Sequence, residues 1–154
     1  MPRWLSDDRV LTYRNGAIVA LDTTGAPRDS IVVPDSAAFL GGEAQVRFRD
    51  RSVYYWSIPA GAMVVASFES HSVRVLARPK SPLQPAGFTA SGALVASEDP
   101  RSSGTSVYAI NTMTGAMVLF ATVPTNCKEL RLDRSGTRAA CSHMGRRATS
   151  GSAW

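Results

Sequence analysis

The chain has 154 residues, with 17 Lys and Arg against 12 Asp and Glu, a formal charge of +5, and 44% apolar residues. Those proportions are ordinary for a globular protein with a sizeable core. The longer apolar runs, such as Ala62 to Phe68, fall well short of the roughly 18 residues that a membrane-spanning helix needs.

The N-terminus runs into Asp7-Asp8 and lacks the apolar stretch of a signal peptide. Taken as written, the product is expected in the cytoplasm; a fragment of a longer precursor would be exported. The chain then repeats one sentence: a strand, a Thr-Gly or Ala-Gly turn, and another strand. It appears from Gly16 to Val33, from Arg51 to Phe68 and from Ser106 to Thr122. Repetition at this spacing marks stacked supersecondary units.

A second repeated element precedes the first, with two strands around a Ser-Gly turn. It runs from Ala86 to Ser97 and from Leu130 to Ser142, with a divergent copy from Ser36 to Phe48 and a remnant near Arg3 to Tyr13. Glycine suits these turns because short hairpin connections often need positive φ. Together the elements make a four-stranded unit. Its copies are expected at 3–34, at 35–68 followed by a linker extension over 69–82, at 83–123, and at 124–154 as an incomplete last unit. Within the extension, Glu69 onward reads as a prolongation of the preceding strand, and Pro79, Pro82 and Pro85 read as a stiff surface connection. Gly151 to Trp154 reads as the opening of a third strand in the last unit. No stretch of about a dozen residues carries capped helical periodicity, so the predicted class is all-β, antiparallel throughout.

The chemistry-bearing residues are few. The chain has no Gly-x-Ser-x-Gly elbow, Walker A loop, Gly-x-Gly-x-x-Gly or His-Glu-x-x-His motif. His71 and His143 lack ligand-spaced partners, so no metal or other cofactor is expected. Asp7-Asp8 and Glu98-Asp99 read as turn and loop carboxylates. Cys127 and Cys141 flank a hairpin turning near Gly136, which would set Cys141 opposite Leu130 or Arg131. Two reduced, partly buried thiols are the expectation, and a bridge is the alternative in an oxidising compartment.

The most suggestive constellation is basic. Arg47, Arg49 and Arg51 alternate with Val46, Phe48 and Asp50, so one continuous strand would place three guanidinium groups on one face. Such a row could grip phosphate or an acidic peptide; the plain alternative is a solvated strand face. A second set, Arg131, Arg134, Arg138, Arg146 and Arg147, surrounds the incomplete unit. The aromatic residues Phe48, Tyr54, Trp56, Phe88, Tyr108 and Phe120 fall on predicted strands and read as packing.

The unit resembles a blade of a β-propeller of the WD-repeat or TolB-like type. Thr89-Ala90-Ser91-Gly92 resembles the family's Ser-Asp-Gly hairpin, and Val53 to Val64 resembles its third strand, with Trp56 where tryptophan is common. Ser57 stands where aspartate is usual. The resemblance implies roughly three and a half blades, against about four to eight in closed propellers. That implies an open or fragmentary array with apolar blade edges that could self-associate. For function it implies a non-catalytic module that recognises a protein or peptide through its loops. One alternative is the propeller portion of a larger enzyme, hydrolase or quinoprotein in type, whose catalytic residues lie outside this chain. A second is nucleic-acid binding by the Arg47–Arg49–Arg51 face.

Overall fold

The computed structural model describes residues 3–4, 10–33, 46–98, 104–123, 127 and 129–142, and these contain fourteen strands and no helix. The contacts cluster in two compact units, Met1–Val75 and Leu76–Trp154.

In the first unit, β1 (Arg3–Trp4), β2 (Val10–Arg14), β3 (Ala17–Leu21) and β4 (Pro27–Val32) form one antiparallel sheet in chain order. Asn15 and Gly16 turn β2 into β3 with φ of 50° and 78°, the backbone that a right-twisted two-residue hairpin demands. The second sheet is β5 (Val46–Arg49), β6 (Ser52–Ser57), β7 (Ala62–Ser67) and β8 (Ser72–Ala77), again in chain order. β3 alternates, burying Ile18 and Ala20. These pack with Leu11, Ile31, Val53, Tyr55, Val64 and Phe68 in a core that joins the facing surfaces of the two sheets. Phe48 meets Phe68 edge to face, with ring centroids 6.4 Å apart.

The second sheet departs from the expected phasing. Ser72–Ala77 is a strand of its own, reached through a turn at Glu69–His71, rather than a prolongation of the strand before it. The turn at Gly61 consequently joins the second and third described strands of this sheet, whereas Gly25 and Gly115 join third to fourth. Trp56 lies on the second described strand. Asp50 and Arg51 make a two-residue hairpin at φ of 48° and 57° without a glycine, and that hid one of the turns.

In the second unit, β9 (Leu83–Phe88), β10 (Leu94–Glu98), β11 (Thr105–Ile110) and β12 (Met117–Val123) make the third four-stranded sheet. β13 (Glu129–Leu132) and β14 (Ala139–Ser142) make a two-stranded one. Leu130, Leu132, Ala139 and Cys141 pack onto Ala86, Val95, Val107 and Val123. The close approach relies on Gly87, at φ 155°, where a Cβ would come within 2.8 Å of the Leu132 Cβ.

The cysteines overturn the reduced-thiol expectation: Cys127 and Cys141 form a disulfide, with Cα atoms 5.5 Å apart. The hairpin register is the expected one, Cys141 opposite Leu130. Cys127 precedes the first residue of β13, so the ladder does not constrain it and it folds back onto β14. Residues 36–45, Asp7-Asp8, Asp99, His143, Arg146, Arg147 and the strand expected at Gly151–Trp154 lie outside the described residues.

Candidate functional site

The same side-chain device ends strand after strand. Asp22, one residue past β3, accepts hydrogen bonds at Oδ1 from the Thr24 and Ala26 backbone N–H groups at 2.9 and 3.0 Å. Asn111, one residue past β11, accepts at Oδ1 from the N–H groups of Met113 and Thr114 at 2.9 and 3.0 Å. Asp133 does the same for Thr137 and Arg138 after β13, and Thr89 Oγ1 for Ala93 after β9. These residue types accept local backbone donors that the ladder no longer satisfies. The caps perturb their carboxyls. The Thr24 hydroxyl, the Ala26 N–H and Arg28 hold Asp22 well below the usual carboxylate range. The Ser135 hydroxyl and the N–H groups of Arg138, Thr137 and Gly136 lower Asp133.

In the first unit a charged cluster ties two further turns to β4. The register of β3 and β4 shifts between Ala20 and Leu21, so Asp29 pairs with Ala20 while Pro27 pairs with Leu21. The Asp29 carboxylate is 16% exposed, with Oδ2 3.2 Å from Arg51 Nη2 and Oδ1 3.0 Å from His71 Nε2. Arg51 and His71 hold their places at positive φ, 57° and 51°, in the turns that open β6 and β8. The Arg51 carbonyl is fixed by the Phe68 N–H at 2.8 Å. Partial burial raises the Asp29 carboxyl, but hydrogen bonds from His71 and the Ser30 N–H, with the charges of His71 and Arg51, bring it below its ordinary value.

The three arginines singled out in the sequence do not form one row. β5 ends at Arg49, so Arg47 and Arg49 share a strand and Arg51 belongs to the turn. Arg47 donates to the Val46 carbonyl at 2.8 Å, Arg49 lies 3.4 Å from the Asp50 carboxylate, and Arg51 serves Asp29. Arg49 and Arg51 thus each lie against a carboxylate of the same chain. Asp29, and its contacts with Arg51 and His71, escaped the sequence reading because 22 and 42 residues separate it from those partners.

Glu98 accepts a hydrogen bond from the Tyr108 hydroxyl at 3.2 Å. Arg131 pairs with Glu129, two residues away on the same strand. Among the described residues, no group of three or more His, Cys, Asp or Glu could hold a metal ion, and no helix is long and apolar enough to cross a membrane.

No protein-family model matches the chain, and no curated protein matches it by sequence. Among solved structures, the crystal structure of TolB from Acinetobacter baumannii matches with a TM-score of 0.64 at 15% identity. The match covers 97% of this chain and 39% of that one. With its repeated four-stranded antiparallel sheets, the chain has a TolB-like β-propeller fold.

Proposed function

We propose that the chain is a non-catalytic binding module that recognises a protein or peptide through loops held on rigid β-sheets. The observation that carries this reading is the repeated pinning of turns by Asp22, Thr89, Asn111 and Asp133. A loop ordered before contact loses little conformational entropy when it binds, and rigid scaffolds bearing such loops are common binding surfaces. In the first unit the surface offered is the turn pair around Asp29, Arg51 and His71, with Arg47 and Arg49 on the neighbouring strand. The propeller fold is consistent with this role, though folds of this kind host many functions.

The test is site-specific photo-crosslinking in cells, with the photoreactive residue at Asp50 or Glu69 in the turns and at Arg74 on β8 as the control. Cross-links concentrated at the turn positions are expected. Equal labelling at all three sites, or none, would overturn the proposal. The disulfide further supports residence in an oxidising compartment. Alkylation of cell extracts before and after reduction checks this, with thiol labelling expected only after reduction.

A further inference from the structure

The chain has three asparagines, Asn15, Asn111 and Asn126, and they stand in different chemical settings. Asn15 is exposed and is followed by Gly16. These two residues are the whole loop between β2 and β3, since Arg14 pairs with Ala17 across the hairpin. Both hold positive φ, 50° and 78°, a backbone that asparagine and glycine tolerate better than other residues.

This pair sets an electrophile beside a nucleophile. A bond from the Gly16 backbone nitrogen to the Asn15 carboxamide carbon would close a succinimide ring, and glycine has no Cβ to crowd the approach. Asn111 is the contrasting case. Its carboxamide oxygen accepts the Met113 and Thr114 N–H groups at 2.9 and 3.0 Å, so the group is held in its cap. The residue after it is Thr112, whose branched side chain stiffens and crowds the chain there. Asn126 lies outside the described residues.

The Asn15-Gly16 loop also sits where a change in its length is felt. Turn type and loop length fix the register of a hairpin. The Gly16 carbonyl accepts the Val33 N–H at 2.9 Å, which ties the turn to the end of β4. Ile18 and Val33, on either side of that bond, are both buried in the core of the first unit.

We propose that Asn15 is a site of spontaneous deamidation, and that its product loosens the β2–β3 hairpin. The Gly16 nitrogen attacks Asn15 Cγ. A new C–N bond replaces the bond to the side-chain amide, and the Gly16 proton leaves with that amide as ammonia. One water then opens the ring. Cleavage at the main-chain carbonyl leaves isoaspartate, with the backbone routed through Cβ, and cleavage at the other carbonyl leaves aspartate. Nothing is oxidised or reduced. Isoaspartate lengthens the loop by one backbone atom, and either product adds one negative charge. Ring closure requires Asn15 to leave its hairpin dihedrals, so the reaction proceeds through local opening of the turn. The inference is independent of the binding reading.

The test holds the purified full chain at mildly alkaline pH in heavy-oxygen water and follows it by peptide mapping and ion exchange. The peptide carrying residue 15 is expected to take up heavy oxygen, mainly as isoaspartate, severalfold faster than the peptide carrying Asn111. An acidic isoform should accumulate in step, and Asn15→Gly, which keeps the positive φ available, should abolish it. In the isolated isoaspartate form, hydrogen exchange at Ala17–Leu21 is expected to be faster than in the unmodified chain. Equal rates at Asn15 and Asn111, aspartate without isoaspartate, or an acidic isoform that persists in Asn15→Gly would each overturn the assignment of the site. Unchanged exchange at Ala17–Leu21 would overturn its effect on the hairpin.

Discussion

Asp29 is where single-residue chemistry has its clearest consequence in this chain, because its carboxylate meets the Arg51 guanidinium and the His71 imidazole, which are carried by separate turns. A carboxyl held below its unfolded pKa stabilises the fold above that pKa, and the contribution disappears as pH falls toward the folded value. Asp29→Asn should therefore lower stability at neutral pH by about 1 kcal/mol, a modest figure because both donors are more than half exposed. The difference from wild type should shrink below about pH 4, as urea titrations across pH would show. Asp22 and Asp133, lowered in the same direction, steepen the same acid limb. Asn111 performs the equivalent cap without titrating, so Asn111→Ala should cost about 1 kcal/mol at every pH. Asp22 and Gly25 could be read from the sequence as turn residues because their bonds are local. Asp29 could not, since nothing in its own neighbourhood names Arg51 or His71.

At the scale of elements, the hairpin β13–β14 is too small to hold itself together and depends on what it packs against. Two constraints fix it. The disulfide closes a loop with a sequence separation of 14, and removing such a link costs about 3 kcal/mol in the chain-entropy account. Cys127→Ser with Cys141→Ser should show that loss in thermal unfolding, and reductant should lower the wild type to match. The other constraint is Gly136, at φ 70°, where a Cβ would fall on the backbone of Phe88, Thr89 and Ala90. Gly136→Ala should therefore destabilise by roughly 2 kcal/mol, from the left-handed backbone and the collision together. A milder cost, near that of an exposed glycine, would mean that the hairpin does not sit against the β9–β10 turn. The Ser-Gly hairpin was readable in the sequence as a turn, but the neighbour its glycine accommodates was not. Nor was the Asp50-Arg51 hairpin, whose positive φ values are carried by residues that rarely adopt them.

For the whole molecule, charge is the property most open to misreading. The net charge of +5 invites a nucleic-acid partner. However, Arg28, Arg49, Arg51 and Arg131 each lie against a carboxylate of the same chain. The chain should therefore bind duplex DNA only weakly at low salt and lose it by about 150 mM, with a shallow salt slope. Anisotropy titrations at several ionic strengths would check this. A steep slope, reduced by neutralising Arg47, Arg49 and Arg51, would favour the nucleic-acid reading instead. The sequence by itself determined the all-β class and the repeated four-stranded antiparallel unit, because these follow from local periodicity and turn chemistry; the propeller fold came from a resemblance, and the structural match supports its TolB-like form. Only the tertiary structure decided the pairing of Cys127 with Cys141 and the Asp29 cluster. Each of these depends on residues far apart in the chain being brought within a few ångströms, and a linear pattern of apolar and turn residues does not encode that distance.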